Sequence, residues 1–143
     1  MDAGNVAGPG ACGDAADGTA GREQVHALAL VADLIFASRI RGVAETVGAR
    51  VHIARSAAEL LDAARNALPR LVLLDLDARG VDVPALVGSL KADPSLATIP
   101  LVVFGAHVEG EALRAARMAG ADRVLARSAF VRELPNLLRS TLP

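Results

Sequence analysis

The sequence predicts an α/β chain in which a five-stranded parallel sheet is covered by helices on both faces. Three observations carry that prediction. Five short runs rich in Leu, Val and Ala recur along the chain, and each is followed by a longer segment whose apolar residues fall at helical spacing. Most of the runs end on an acid, a glycine or an arginine, as a buried strand does on reaching water at its carboxyl end. The length of 143 residues suits one such domain with a single sizeable core.

Each element has its own justification. Residues 1–23 are mostly Gly, Ala and Asp without periodicity, which predicts a disordered tail with Cys12 incidental in it; the domain spans 24–143. "VHALALVAD" reads as the first strand, ending at Asp33. "FASRIRGVAETVG" places Ile40, Val43 and Val47 on one helical face and stops at Gly48. "RVHIA" is the second strand. Ser56 with Glu59 forms a capping-box pattern that opens a helix running to Leu68 before Pro69. "RLVLLD" is the third strand, and Pro84 suits the first turn of the next helix, carrying Leu86, Val87 and Leu90. "LVVFG" is the fourth strand, "EGEALRAARMAG" a helix capped by Gly120, and "DRVLA" the fifth strand. The last helix is expected from about Val131 to Leu142, with Pro135 tolerable only near its first turn.

Bulk composition removes several function classes. Hydrophobic residues make up 52% and aromatics only 2%, so the core must be aliphatic. Fifteen Lys and Arg against 16 Asp and Glu leave a net charge of −1, which gives no broad attraction to nucleic acid or an anionic membrane. One cysteine forms no internal disulfide, no apolar run is long enough to span a bilayer, and the first residues lack a secretory signal. The expectation is a cytoplasmic protein with neither a nucleic-acid nor a membrane partner, and with no DNA-binding output segment after Pro143.

Asp33, Asp75, Gly105 and Arg127 fall at or just past predicted strand ends and should be neighbours in space. Their spacing resembles the receiver domain of bacterial two-component response regulators, over roughly residues 25–142. The resemblance implies a doubly wound, flavodoxin-like sheet with strand order 2-1-3-4-5. "LVLLD" then ends on the phosphoacceptor position, Asp75. The family's acid pair corresponds to Ala32 and Asp33, its Thr or Ser to Gly105 followed by Ala106, its Lys-Pro to Arg127-Ser128, and its aromatic switch position to Val124. "FGAHV" and "VLARSAF" look like a group of stand-alone receiver-like proteins. The resemblance thus implies a degenerate receiver, or pseudo-receiver, in two-component phosphorelay signalling.

The departures bear on chemistry. Phosphoryl transfer to a carboxylate needs a cation on the phosphoryl oxygens, and magnesium is held by a few carboxylates plus water. Asp33 and Asp75 supply two such ligands, so any Mg site is weak or absent. Arg127 keeps a positive charge beside Asp75 on a planar group unlike an ammonium. Gly105 removes the hydroxyl that closes on a phosphoryl group. The reading that follows is signalling by docking, with the partner a kinase or output protein and the chain a monomer or weak homodimer. The docking face implied by the family is the fourth helix, fifth strand and fifth helix, with Arg114, Arg117, Arg132 and Arg139. The rival reading is a genuine Mg-dependent phosphorelay receiver phosphorylated on Asp75.

Other residues take plainer readings. Asp33 caps the following helix if it is not a ligand, Asp77 is a solvated loop acid, and Arg127 pairs with Asp75. His26 and His52 are structural, His107 an exposed loop residue, and Ser128 and Phe130 position the last helix. "DLD" at 75–77 looks like the Asp-x-Asp of aspartyl-phosphate phosphohydrolases, but Arg79 stands where that motif continues with Thr or Val, and Lys91 is the only lysine. Nucleotide or flavin binding would need a glycine-rich cradle that "VADLIFASR" lacks.

Overall fold

A computed structural model describes residues 24–106 and 110–143. The expectations for the tail, Cys12 and His107 lie outside the described residues. Five strands alternate with five helices: β1 (Ala27–Leu30), α1 (Leu34–Val47), β2 (Val51–Ala54), α2 (Ala57–Ala67), β3 (Leu71–Asp75), α3 (Val83–Ala92), β4 (Leu101–Gly105), α4 (Glu111–Ala119), β5 (Arg123–Ala126) and α5 (Arg127–Arg139). All pairings are parallel, in the order β2-β1-β3-β4-β5. The predicted fold class and strand order are those observed.

The alternation of side chains along each strand divides the core in two. Leu28, Leu30, Val72, Leu74, Leu101 and Val103 meet residues of α2, α3 and α4 on one face of the sheet. Ala27, Ala29, Leu71, Leu73, Val102 and Phe104 meet α1 and α5 on the other. With both faces covered, the inner strands β1, β3 and β4 bury every side chain, which is why they read as continuous apolar runs. Asp75 is the one charged residue in the buried class among the described residues.

Helix starts are set by short polar side chains. Ser56 accepts from the Glu59 N–H at 3.1 Å, while Glu59 Oε1 reaches back to the Arg55 N–H at 3.2 Å, one residue before the cap itself. Asp82, not anticipated from the pattern, caps α3 through the Ala85 N–H at 3.1 Å. Leu68 ends α2 in a left-handed conformation with φ of 46° and Pro69 after it. The first strand stops at Leu30 rather than Asp33, because Asp33 belongs to α1 as its N-cap.

The last helix corrects an expectation. It begins at Arg127, directly from β5, and not near Val131; Pro135 therefore lies in its interior. Proline there deletes a bond to the carbonyl four residues back and costs about 3 kcal/mol. The buried stripe Phe130, Leu134 and Leu138 contributes about 1.5–3 kcal/mol per side chain and outweighs that cost. Replacing Pro135 with Ala should raise unfolding stability by about 2 kcal/mol once the looser unfolded chain is allowed for. Urea denaturation of the two proteins measures it, and an unchanged midpoint would mean that the helix already absorbs the proline without strain.

Candidate functional site

The site lies at the carboxyl ends of β1, β3 and β4 and the start of α5. β3 carries Asp75 out of the core still 97% buried, since its relative exposure is 3%. A carboxylate so placed needs compensation. One part is local: its Oδ1 accepts the Asp77 N–H at 2.9 Å. The other is Arg127, whose Nη2 lies 3.4 Å from both carboxylate oxygens. Close charge-assisted pairs run at about 2.7–2.9 Å, so this is an ion pair rather than a tight two-bond fork.

Arg127 is held from its other side by Phe36, one of the chain's three aromatic residues. Its guanidinium carbon stands 4.7 Å from the Phe36 ring centre, a cation–π distance. Phe36 packs on Phe104 and Phe130 at 5.5 and 6.0 Å, and those two stack at 3.9 Å. One phenylalanine comes from each of α1, β4 and α5, so the cation rests on the junction of three elements. Phe130 is thus core rather than merely the start of a helix. Arg127 Nε is buried without a hydrogen-bond partner. An open cleft of about 530 Å³, lined by Phe36, Arg39, Arg127, Ser128 and Val131, leads to the guanidinium from between α1 and α5.

Asp77 is half exposed, as a loop acid would be, yet its carboxylate is engaged. Oδ2 accepts the Ala106 N–H at 3.1 Å and lies 3.7 Å from Arg127 Nη2. No spacing rule marks this contact, because the partners are far apart in sequence and meet only when β3 and β4 pair. Gly105 is also explained by its neighbour. A Cβ there would lie 3.3 Å from Leu76 Cβ and 3.4 Å from Leu76 Cδ2, so the space of the missing hydroxyl-bearing side chain is partly taken by Leu76.

Asp33 is near enough to add to the negative field on Asp75. Its Oδ1, however, accepts the N–H groups of Ile35 and Phe36 at 2.9 and 3.3 Å, as the cap of α1. Among the described residues no three His, Cys, Asp or Glu side chains gather as a metal-holding group. Val124 sits in β5 against the α2–α4 side of the core and is not in the aromatic cluster. His26 accepts the Arg50 N–H through Nδ1, and His52 lies 3.3 Å from Glu59, both structural contacts away from Asp75. Lys91 binds Asp122 at 2.9 Å beside the amino end of β4, the opposite end of the sheet from the "DLD" acids. A phosphohydrolase would need its lysine beside them.

Burial raises the pKa of Asp75 above 3.8; the Asp77 N–H and Arg127 oppose the rise, and the carboxylates of Asp77 and Asp33 add to it.

Comparisons with known proteins bear on the fold. No family model matches the sequence, and no curated protein matches it. Solved structures do. A structure described as a response-regulator candidate from Chloroflexus aurantiacus is 24% identical, with a TM-score of 0.72, covering 83% of this chain and 98% of its own. The chemotaxis response regulator CheY4 of Vibrio cholerae is 16% identical with a TM-score of 0.72, over 84% of this chain and all of its own. The receiver domain of a sensor histidine kinase from Pseudomonas aeruginosa, with a magnesium ion in its active-site cleft, is 16% identical with a TM-score of 0.72, over 82% and 97% of the two chains. The chain has the fold of response-regulator receiver domains.

Two outcomes follow. Asp33→Ala should cost about 1 kcal/mol by unfolding, with Asp33→Ser restoring most of it; no loss would remove the capping role. For Asp75 the native state binds more protons than the unfolded chain between 3.8 and its raised pKa, so its contribution to stability falls as pH rises through that window. The stability difference between wild type and Asp75→Asn, from urea titrations begun below pH 3.8, should therefore decline with rising pH. Asp93, whose pKa is lowered by Ser95, has the opposite slope but is common to both proteins. A flat difference would place Asp75 in an environment without net cost to its charge.

Proposed function

We propose that this chain, having the receiver fold, is a signalling domain that acts by docking onto another protein and not by accepting a phosphoryl group. The observation that carries this reading is the Arg127–Asp75 ion pair, formed where a phosphoryl group would be received. Asp75 stays the phosphoacceptor candidate by position, but both its carboxylate oxygens already face Arg127 at 3.4 Å. Gly105 and Val124 supply neither the hydroxyl nor the aromatic ring of a moving switch.

The donor set fits magnesium poorly. One oxygen of Asp33 already caps α1, Asp77 is engaged by the Ala106 N–H, and Arg127 competes electrostatically for Asp75. The proposed mechanism accordingly needs no phosphoryl chemistry through a bound cation. Among the described residues no helix is long and apolar enough to cross a membrane, and the reading is of a cytoplasmic, non-enzymatic protein.

Docking falls to α4, β5 and α5. Arg114 and Arg117 on α4 and Arg132 on α5 are exposed and have no ion-pair partner among the described residues; Arg139 donates only to Asn136. Met118, 88% exposed, lies among the α4 arginines. An exposed methionine on the same helix as two unpaired cations suits a kinase or output protein presenting carboxylates around an apolar residue. The alternative, a genuine phosphorelay receiver using magnesium, is favoured by the retention of Asp75 at the end of β3.

The two readings separate in an amide NMR titration with magnesium and beryllofluoride, a phosphoryl mimic. Docking alone predicts no shifts reaching β4 and β5 at millimolar ligand; shifts spreading from Asp75 into both strands would establish the phosphorelay reading instead. With a captured partner, Asp75→Asn should bind as wild type does. Reversing Arg114, Arg117 and Arg132 to Glu should weaken binding by about tenfold or more, and unimpaired binding would move the interface elsewhere.

A further inference from the structure

We propose that Asp77 is the pocket's built-in anion: its carboxylate takes the place that the oxygens of a phosphoryl group on Asp75 would occupy, and so keeps other anions out. The inference rests on the docking reading and deepens it by naming what fills the site.

The geometry is specific. An anionic oxygen joined to Asp75 would need a nearby backbone donor and a cation. The available donor is the Ala106 N–H, where the chain leaves β4, and the available cation is Arg127. Both already face Asp77 Oδ2, at 3.1 and 3.7 Å. One guanidinium nitrogen thus lies between two carboxylates, 3.4 Å from Asp75 and 3.7 Å from Asp77. Two negative charges share one positive charge before any ligand arrives. Phosphorylation would replace the single charge of Asp75 with the roughly two negative charges of an acyl phosphate, so the group could enter only after Asp77 lets go of Ala106. Mechanically, Asp77 ties the loop after β3 to the end of β4, while Arg127 ties both to the first turn of α5. The ends that lead to the docking face are therefore fastened in one arrangement by side chains of the chain itself. Asp77 is a loop residue with half its side chain in water, so the tether is replaceable rather than part of the core.

The test uses the full chain as wild type, Asp77→Ala and Asp77→Asn, the last keeping an acceptor without the charge in case the alanine variant folds poorly. Hydrogen exchange at the Ala106 amide should be about tenfold faster in Asp77→Ala, with the Val103 amide unaltered. Beryllofluoride with magnesium should shift the amide resonances of both variants at about a tenth or less of the concentration that wild type needs. Unaltered exchange at Ala106, or an equal response of all three proteins to beryllofluoride, present or absent, overturns the proposal. Those results leave docking untouched. Conversely, a wild-type response spreading into β4 and β5 defeats the docking reading, whether or not Asp77 holds Ala106.

Discussion

A carboxylate buried at the end of a parallel strand is the constraint on which the rest of this site depends. Asp75 is taken out of water by the same packing that makes β3 a strand, and an uncompensated charge there would cost several kcal/mol. The Asp77 N–H and Arg127 together offset part of that cost, and the position of Arg127 bears on other features in turn. α5 starts directly from β5, which brings its first residue to face Asp75. The three phenylalanines pack on one another in the core, and the face of Phe36 is left to take the guanidinium. Even the interior proline of α5 follows, since a helix that begins at Arg127 and buries Leu134 and Leu138 must pass through Pro135.

The doubly wound sheet delivers these groups to one place. Parallel pairing sets Asp75 opposite Phe104 and Gly105 opposite Ala126, so residues from distant parts of the chain meet at one edge. The same sheet sends Lys91 and Asp122 to its other end, where they fasten α3 to the starts of β4 and β5. One end is thus a structural clamp and the other a charged pocket. The pocket's parts are mutually adjusted: Leu76 fills the room beside Gly105, and Asp77 meets the backbone donor that follows it.

Such adjustment suits a domain whose docking surface is fixed. A switch needs two arrangements of comparable free energy and a ligand that prefers one. Here the groups that would read a ligand are already bound to one another, by Arg127 between two carboxylates and by two hydrogen bonds from backbone N–H groups. On the proposed docking reading, the surface formed by α4, β5 and α5 is presented in one form, with its unpaired arginines outward.

The sequence by itself determined the layered fold, the boundaries of most elements and the gathering of Asp33, Asp75, Gly105 and Arg127 at strand ends. Period and capping are local properties, and parallel α/β topology follows from them with few alternatives. It also carried the alternative that Asp33 is a cap, because the residue preceded an apolar helical stretch. What tertiary structure alone decided were contacts between residues far apart in the chain: Asp77 with Ala106, Arg127 over Phe36, Leu76 beside Gly105, and a helix that begins four residues before its strongest pattern. A side chain's partner across a sheet depends on register and rotamer, and neither leaves a periodic trace in sequence. For that reason "DLD" could be read as two acids at a strand end, while only the folded chain gave the second acid its partners.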